Sequence, residues 1–466
     1  MVQLRLYSYG PTAVLGDGAV IPPDVFIAIE GLGTFEGVSL EKRMEKLNTE
    51  GKDVHRVAVK THRESTKRGH ASITTSLQLM MEATGCSRAL SMLLVAPPFG
   101  SYLQESQRRV TVTRDHMAAP QALKNNTGFW KAVEKMVETY SRLIEAGVEI
   151  ENARYVLPLC TETSLFVSCS LENYVAFIQL KHAADWRYVP EEVGVFAEQF
   201  EKLARSVAPI MVEARLGFSN RLATYPFPNP YKPNDPLMER LLHENSFPRE
   251  AKILLIHSVL EGFPDLSNLL THQSKESYDS LNPLITVSTL EPVSLVAYHQ
   301  SIRHRTVPTA VESIYVAADR ALKNPDENTV IPPNINVNER LRLMFMEAIT
   351  ESLHTYKSLL DEWISPSNAV YILPQALRLY IARLYNGFNI LHPSGYVAMR
   401  TCSYAEWEQR SIAYKIMYEV IRRAPSLANV VGEKCRHLGF CPERTWCPLI
   451  LKYHYYDDEK HIAFNR

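Results

Sequence analysis

The chain has no apolar run near the roughly 18 to 20 residues that a helix needs to cross a bilayer, and its start, MVQLRLYSYG, lacks a basic region followed by a long apolar one. Neither a membrane span nor a secretory leader is expected, and the expected location is the cytoplasm. An excess of charge is missing too: 50 Lys and Arg stand against 51 Asp and Glu, a net charge of −1. Nucleic acid and anionic membrane surfaces call for a concentrated basic face, so neither is an expected partner, whereas a small anionic ligand is not excluded. Seven cysteines in 466 residues, an odd number widely spread, do not make the disulfide framework of a small secreted domain.

What the chain does have is length and apolar content. With 466 residues, 46% of them apolar, it can bury large cores, and its length suggests two or more domains. Internal repetition supports this. The segment YSRLIEAGVEIENARYVLP, Tyr140–Pro158, aligns without a gap on YKSLLDEWISPSNAVYILP, Tyr356–Pro374. A second frame repeats as well: APPFGSYLQESQRR, Ala96–Arg109, falls on RHRTVPTAVESIY, Arg303–Tyr315, with Ser106 against Ser313. Two anchors in the same order point to a duplicated domain. Between the copies lies TYPFPNPYKPNDP, whose five prolines forbid a helix and favour an extended connector. The expected organisation is one repeat over residues 1–223, a linker over 224–237 and a second repeat over 238–466.

Within each copy the periodicity is readable. Trp130, Val133, Val137, Tyr140 and Ile144 recur at helical spacing, and Gly147 stands where such a helix would end. NERLRLMFMEAITESLHTYKSLLDEW gives the second copy an equivalent helix. TSLQLMMEAT and PLITVSTLEP, ahead of the two frames, read as strands. The expected class is α+β, each copy combining a small sheet with several helices.

The chemistry concentrates in the frames. RHR, Arg303–Arg305, sets two guanidiniums and an imidazole side by side, and a hydroxyl follows at Ser313. Guanidinium forks suit a phosphate or pyrophosphate. The structural alternative is an Arg-rich turn paired with surface carboxylates.

RHRTVPTAVES resembles the RHR-x7-S signature of the flavin-dependent thymidylate synthases, and HQSIRHR is similar to the usual approach to it. NGFNILH and RTCSYAEWEQR resemble two later family segments. In the first copy GHASI, GCSRALS, SYLQESQRR and ARYVLP resemble the family's early His, its SRA helix, its signature end and its Arg-x-x-Leu-Pro. The resemblance implies a domain of about half this length that assembles as a tetramer and binds FAD, dUMP and folate at subunit interfaces.

Carried over position by position, the resemblance divides between the copies. One nucleotide site would take Gln300, Arg303 and Arg400 from the second copy, with Arg400 as the catalytic group that polarises the uracil. It would take Gln104, Glu105, Ser106, Gln107, Arg108 and Arg154 from the first. The opposite site would need Gln where the chain has Leu93, and Arg where it has Ala96, Lys181, Tyr315 and Val370. The expectation is therefore a fused pseudo-dimer with one surviving site, and a homodimer of chains that rebuilds the four-domain assembly. Flavin contacts would come from Arg303, His304, Arg305, Asn386 and His392, with His70 and Ser72 from the first copy. Gly387 and Phe388 depart from the family pattern, residues are inserted before Arg400, and Ser170 and Glu172 no longer read as a flavin segment.

The implied reaction is reductive methylation of dUMP at C5, with methylenetetrahydrofolate as carbon donor, FAD as hydride carrier and NAD(P)H as reductant. Two other readings stay open, a related flavoenzyme acting on another pyrimidine nucleotide and a non-catalytic binding homologue. One feature is extra: EKCRHLGFCPERTWCP brings Cys435, His437, Cys441 and Cys447 together in sequence, which fits a structural zinc site or simply reduced thiols.

Overall fold

A computed structural model describes residues 2–14, 18, 20–70, 72–180, 186–218, 224–259, 282–438, 441, 443 and 447. The fold is mixed, with helices and small antiparallel sheets, in line with the expected class. The chain forms two compact units: Met1–Pro233 with Ile314–Leu377, and Asn234–Ser313 with Arg378–Arg466.

In the first unit four strands, β1 (Gln3–Gly10), β2 (Gln78–Ser87), β3 (Gly100–Gln104) and β4 (Glu162–Ser170), lie in the order β1-β2-β4-β3. The second unit has β5 (Lys252–Ser258), β6 (Ile285–Ser294), β7 (Thr309–Val311) and β8 (Arg378–Asn386) in the order β5-β6-β8-β7. The two orders are the same, every pairing is antiparallel, and in both sheets the first pair carries a register shift, at Leu6/Ser8 and at Ile253/Leu255.

A second shared device follows each central strand. Ser87 ends β2 and caps helix Arg88–Leu94 by accepting from the Leu90 N–H at 3.0 Å, while its hydroxyl donates to Glu192. Ser294 ends β6 and caps helix Leu295–Ser301 by accepting from the Ala297 N–H at 3.0 Å, and its hydroxyl donates to Glu408. Each serine thus satisfies a helix N-terminal donor and draws a carboxylate from a later helix into the interior.

The helix Thr127–Glu145 buries Phe129, Ala132, Val133, Met136, Val137, Tyr140 and Leu143, while Trp130 and Ile144 are only half-buried. Gly147 closes it with φ +86°, a left-handed conformation that costs a glycine little. This helix packs against Glu339–Asp361, its sequence equivalent. Beside them Pro158 and Pro374 face each other in an antiparallel bridge. The Leu159 N–H donates to the Leu373 carbonyl at 3.0 Å, and the Gln375 N–H donates to the Leu157 carbonyl at 2.9 Å. Counted from the two prolines, these bonds are the same bond made twice in reciprocal directions.

The Pro-rich stretch carries no helix or strand before Pro236, where Asp235 caps helix Pro236–Glu244 by accepting from the Met238 N–H at 3.1 Å. Met238 and Leu242 of that helix pack on Leu290 and Tyr380 of the second sheet. Full burial of a side chain of this size contributes about 1.5–3 kcal/mol, enough to fix the helix on the sheet.

Candidate functional site

In the first unit the signature end leaves β3 as a turn. Ser106 Oγ accepts from the Arg108 N–H at 3.3 Å, and the Arg109 N–H donates to the Ser106 carbonyl at 3.0 Å. Glu105 and Ser106 are exposed, and Gln104 is half-buried and donates to Thr163 Oγ1 at 3.3 Å. Gln107 is buried, and its Nε2 has no hydrogen-bond acceptor among the described residues.

Arg108 and Arg154 converge on one carboxylate. Arg108 NH2 lies 2.7 Å from Glu151 Oε2, and Arg154 NH2 lies 3.9 Å from Glu151 Oε1 while its Nε donates to the Glu151 carbonyl at 3.0 Å. Two guanidiniums around a single acidic group leave a net positive charge with planar donor forks, the arrangement that a phosphate takes. Sequence reasoning missed Glu151, because only folding brings residue 108 beside the turn that holds residues 151–154.

His70 is exposed at the rim of a cavity of about 960 Å³ among the helices Pro23–Glu36, Leu40–Thr49 and Val54–Lys67, and Ser72 opens the short helix Ser72–Thr75.

In the second unit Arg303, His304 and Arg305 follow helix Leu295–Ser301 as a turn, and Arg400 ends the five-residue helix Tyr396–Arg400. Arg400 Nε donates to His304 Nε2 at 2.8 Å. An Nε2 that accepts belongs to a neutral imidazole protonated on Nδ1. The charge environment agrees: burial, then the Arg400 and Arg383 guanidiniums, hold the His304 pKa well below its ordinary value. Loss of surrounding water and the like charge of Arg400 lower the Arg303 pKa, although the residue is exposed at the surface of the chain.

Gln300, half-buried just ahead of this turn, has an Oε1 without a donor among the described residues. Asn386 caps helix Gly387–Leu391, accepting from the Asn389 N–H at 3.2 Å and from Asn389 Nδ2 at 2.7 Å. His392 stacks on Phe388 with ring centroids 4.9 Å apart.

Beneath this cluster lies a buried polar network absent from the sequence reading. Arg383 Nε donates to Glu291 Oε2 at 2.7 Å, and Tyr385 and Thr289 hydroxyls donate to Glu291 Oε1 at 2.8 and 2.6 Å. Both partners of the ion pair are fully buried, and the hydrogen bonds from Tyr385 and Thr289 offset part of the cost of burying the Glu291 carboxylate. The signal available was two opposite charges inside apolar strands, STLEPVS and YIARLYN.

The counterpart positions in the first unit are of another kind. Leu93, Ala96, Tyr315 and Val370 are buried core side chains, and the Tyr315 hydroxyl donates to the Tyr188 carbonyl. Lys181 lies outside the described residues. In the second unit Glu312 and Ser313, the sequence equivalents of the exposed Glu105 and Ser106, are each only 1% exposed, and Glu312 Oε2 accepts from the Tyr380 N–H at 3.0 Å.

The zinc expectation is corrected. Among the described residues no group of three or more His, Cys, Asp or Glu is placed to hold a metal, so Cys435, His437, Cys441 and Cys447 do not form such a site. The thiols of Cys435, Cys441 and Cys447 line a cavity of about 150 Å³ with Cys402 and Arg400, and His437 is not part of its lining. Burial pushes the Cys435 thiol up to about 12 and raises that of Cys441. No helix among the described residues is long and apolar enough to cross a membrane.

The family described as thymidylate synthase complementing protein matches residues 34–210 and 284–426, well over half of the chain. The chain belongs to this family. Its two separately matched segments fit a chain built from two related parts. Among relatives within the family, the flavin-dependent thymidylate synthase of Pyrococcus abyssi is 32% identical over 164 residues, 34% of this chain and 65% of the relative. That of Geobacter sulfurreducens is 27% identical over 207 residues, 44% of this chain and 84% of the relative. The chain thus spans about 65% of the length of the Pyrococcus relative. A solved UMP/dUMP methylase from Streptomyces cacaoi, bound with 5-Br dUMP, overlaps 47% of this chain and 95% of its own at 18% identity and TM-score 0.33, too weak a likeness to carry an argument.

Proposed function

We propose that this chain is a flavin-dependent thymidylate synthase with a single composite nucleotide site, built from the second copy's Gln300, Arg303 and Arg400 and the first copy's Gln104–Arg108 and Arg154. The observation that carries the reading is the asymmetry between equivalent positions: one set is polar throughout, with Glu105, Ser106 and Arg303 exposed, while Leu93, Ala96, Tyr315 and Val370 of the other are apolar or aromatic core residues. Family membership supports the reaction class, and the paired Pro158 and Pro374 with their reciprocal hydrogen bonds support a fused pseudo-dimer. Repeats over residues 1–223 and 238–466 joined by a linker at 224–237 are part of this proposal, as are a homodimer of chains and a cytoplasmic location.

The residues suit the flavin that family membership implies. The Arg303–Arg305 turn bears two guanidiniums and a neutral imidazole, a donor set that suits the pyrophosphate of a dinucleotide. Arg303, His304, Arg305, Asn386 and His392 would hold it, with His70 and Ser72. Bound FAD would supply the hydride, re-reduced by NAD(P)H, and methylenetetrahydrofolate the carbon.

The chain's own work is electrostatic. Arg400 would hold the charge that develops at the uracil N3 and O2 edge, raising nucleophilicity at C5. Arg108 and Arg154 would take the phosphate in exchange for Glu151. The test is tritium release from [5-³H]dUMP with methylenetetrahydrofolate, FAD and NADPH. Release that requires all components, and that Arg400→Ala lowers by about 10²- to 10³-fold, supports the proposal; no release from the flavin-loaded protein overturns it.

A further inference from the structure

A continuous stack of side chains runs from the second sheet to Arg400. It starts at the buried Glu291–Arg383 pair across β6 and β8. The Arg383 guanidinium lies over the Tyr396 ring at 4.8 Å, and its NH2 donates to the Tyr396 hydroxyl at 3.0 Å. The Tyr396 hydroxyl donates to Gln409 Oε1 at 2.8 Å, which fixes the ring from a third element. The Tyr396 ring meets the His304 ring edge-on, with centroids 5.1 Å apart, and His304 Nε2 accepts from Arg400. Tyr396 and Arg400 stand one turn apart on the same short helix, with His304 against both. A five-residue helix has little rigidity of its own, so its direction comes from these contacts.

The stack accompanies Arg400 and is missing from the other copy. Counted from the two Leu-Pro motifs, Arg383 falls on Val167 and Tyr385 on Cys169, and His304 falls on Pro97 in the signature frame. A device needed only for folding would be expected in both sheets.

We propose that His304 and Arg383 are positioning residues for Arg400: His304 aims the guanidinium through its Nε2 acceptor, and Arg383, through Tyr396, holds both the imidazole and the helix that ends in Arg400. Protonation of His304 would set an N–H against the Arg400 N–H and add a cation to a group already faced by Arg400 and Arg383, with the uncharged Tyr396 edge-on to its ring. The proposal rests on reading Arg400 as the group that polarises the pyrimidine, and two measurements separate the two ideas.

The first needs no turnover. In full-length protein labelled with ¹⁵N-histidine, with His304→Gln supplying the assignment, His304 shows an unprotonated Nε2 and does not titrate between about pH 6 and 8. A proton on Nε2 at neutral pH overturns the proposal. The second compares variants at saturating flavin. His304→Leu, without an acceptor, lowers kcat on the order of 100-fold with little change in KM for dUMP, and His304→Gln, which keeps an acceptor oxygen, recovers at least about tenfold. Equal losses in both variants overturn the proposal. Because removing Arg383 alone would strand Glu291, the charge-neutral pair Glu291→Gln with Arg383→Met tests the lower end of the stack. It shifts the acidic limb of the pH profile upward, and an unmoved limb in the folded double variant contradicts Arg383's role. If the wild-type protein binds flavin but turns over no dUMP, the function proposal fails while the histidine spectrum still decides this one.

Discussion

Arg400 Nε and His304 Nε2 share a hydrogen bond of 2.8 Å, which ties a residue of the RHR turn to one nearly a hundred positions later. Arg400→Ala is predicted to lower kcat by about 10²- to 10³-fold, roughly 3–4 kcal/mol of transition-state stabilisation. Arg400 is only half-buried, so the melting temperature should move little. Tritium release and a thermal melt on the same preparation check both halves. Near-normal release would remove Arg400 from the chemistry.

Glu151 sits between Arg108 and Arg154 where a phosphate would bind, so it should compete with one. Glu151→Gln removes that charge, and dUMP is predicted to bind about fivefold tighter, on the order of 1 kcal/mol for a partly exposed pair. Deoxyuridine, which lacks the phosphate, should bind equally to both proteins. Calorimetric titration with the two ligands makes the comparison, and weaker dUMP binding by the variant would place the phosphate elsewhere.

Glu192 gives a prediction about pH. Burial raises its pKa to about 7, outweighing the hydrogen bonds donated by Ser87 and by Tyr371, the latter at 3.1 Å. A carboxyl whose folded pKa exceeds its unfolded value binds more protons when folded. Its contribution is therefore most favourable below the unfolded pKa, and stability declines as pH rises from about 4.5 to 7. The full decline is about 3 kcal/mol. Urea unfolding at pH 5 and pH 8 should show it, and Glu192→Gln should flatten it. A wild-type slope that survives in the variant assigns the effect to other groups.

Where a periodicity was long, the sequence was enough. The strand in TSLQLMMEAT and the helices ending near Gly147 and Trp363 are present with their apolar faces inward. Contacts across the chain were not legible. Nothing in YIARLYN names a partner for Arg383; the β6–β8 register sets it opposite Thr289, which brings Glu291 within hydrogen-bond reach on the diagonal. The metal expectation failed for the same reason: proximity in sequence joined His437 to three thiols, while folding brought Cys402 to them. Ser313 illustrates a motif that misleads. It completes the most recognisable signature in the chain and is buried, whereas its plainer equivalent Ser106 is exposed.

The central claim is one flavin nucleotide site per chain, with the other set of positions absorbed into the core. Titrating purified protein with FAD, and following the visible spectrum, counts the sites directly. The account predicts saturation at one flavin per chain. Two per chain would contradict it by showing that the positions at Leu93, Ala96, Tyr315 and Val370 do not abolish a second site, and none would remove the flavin chemistry altogether.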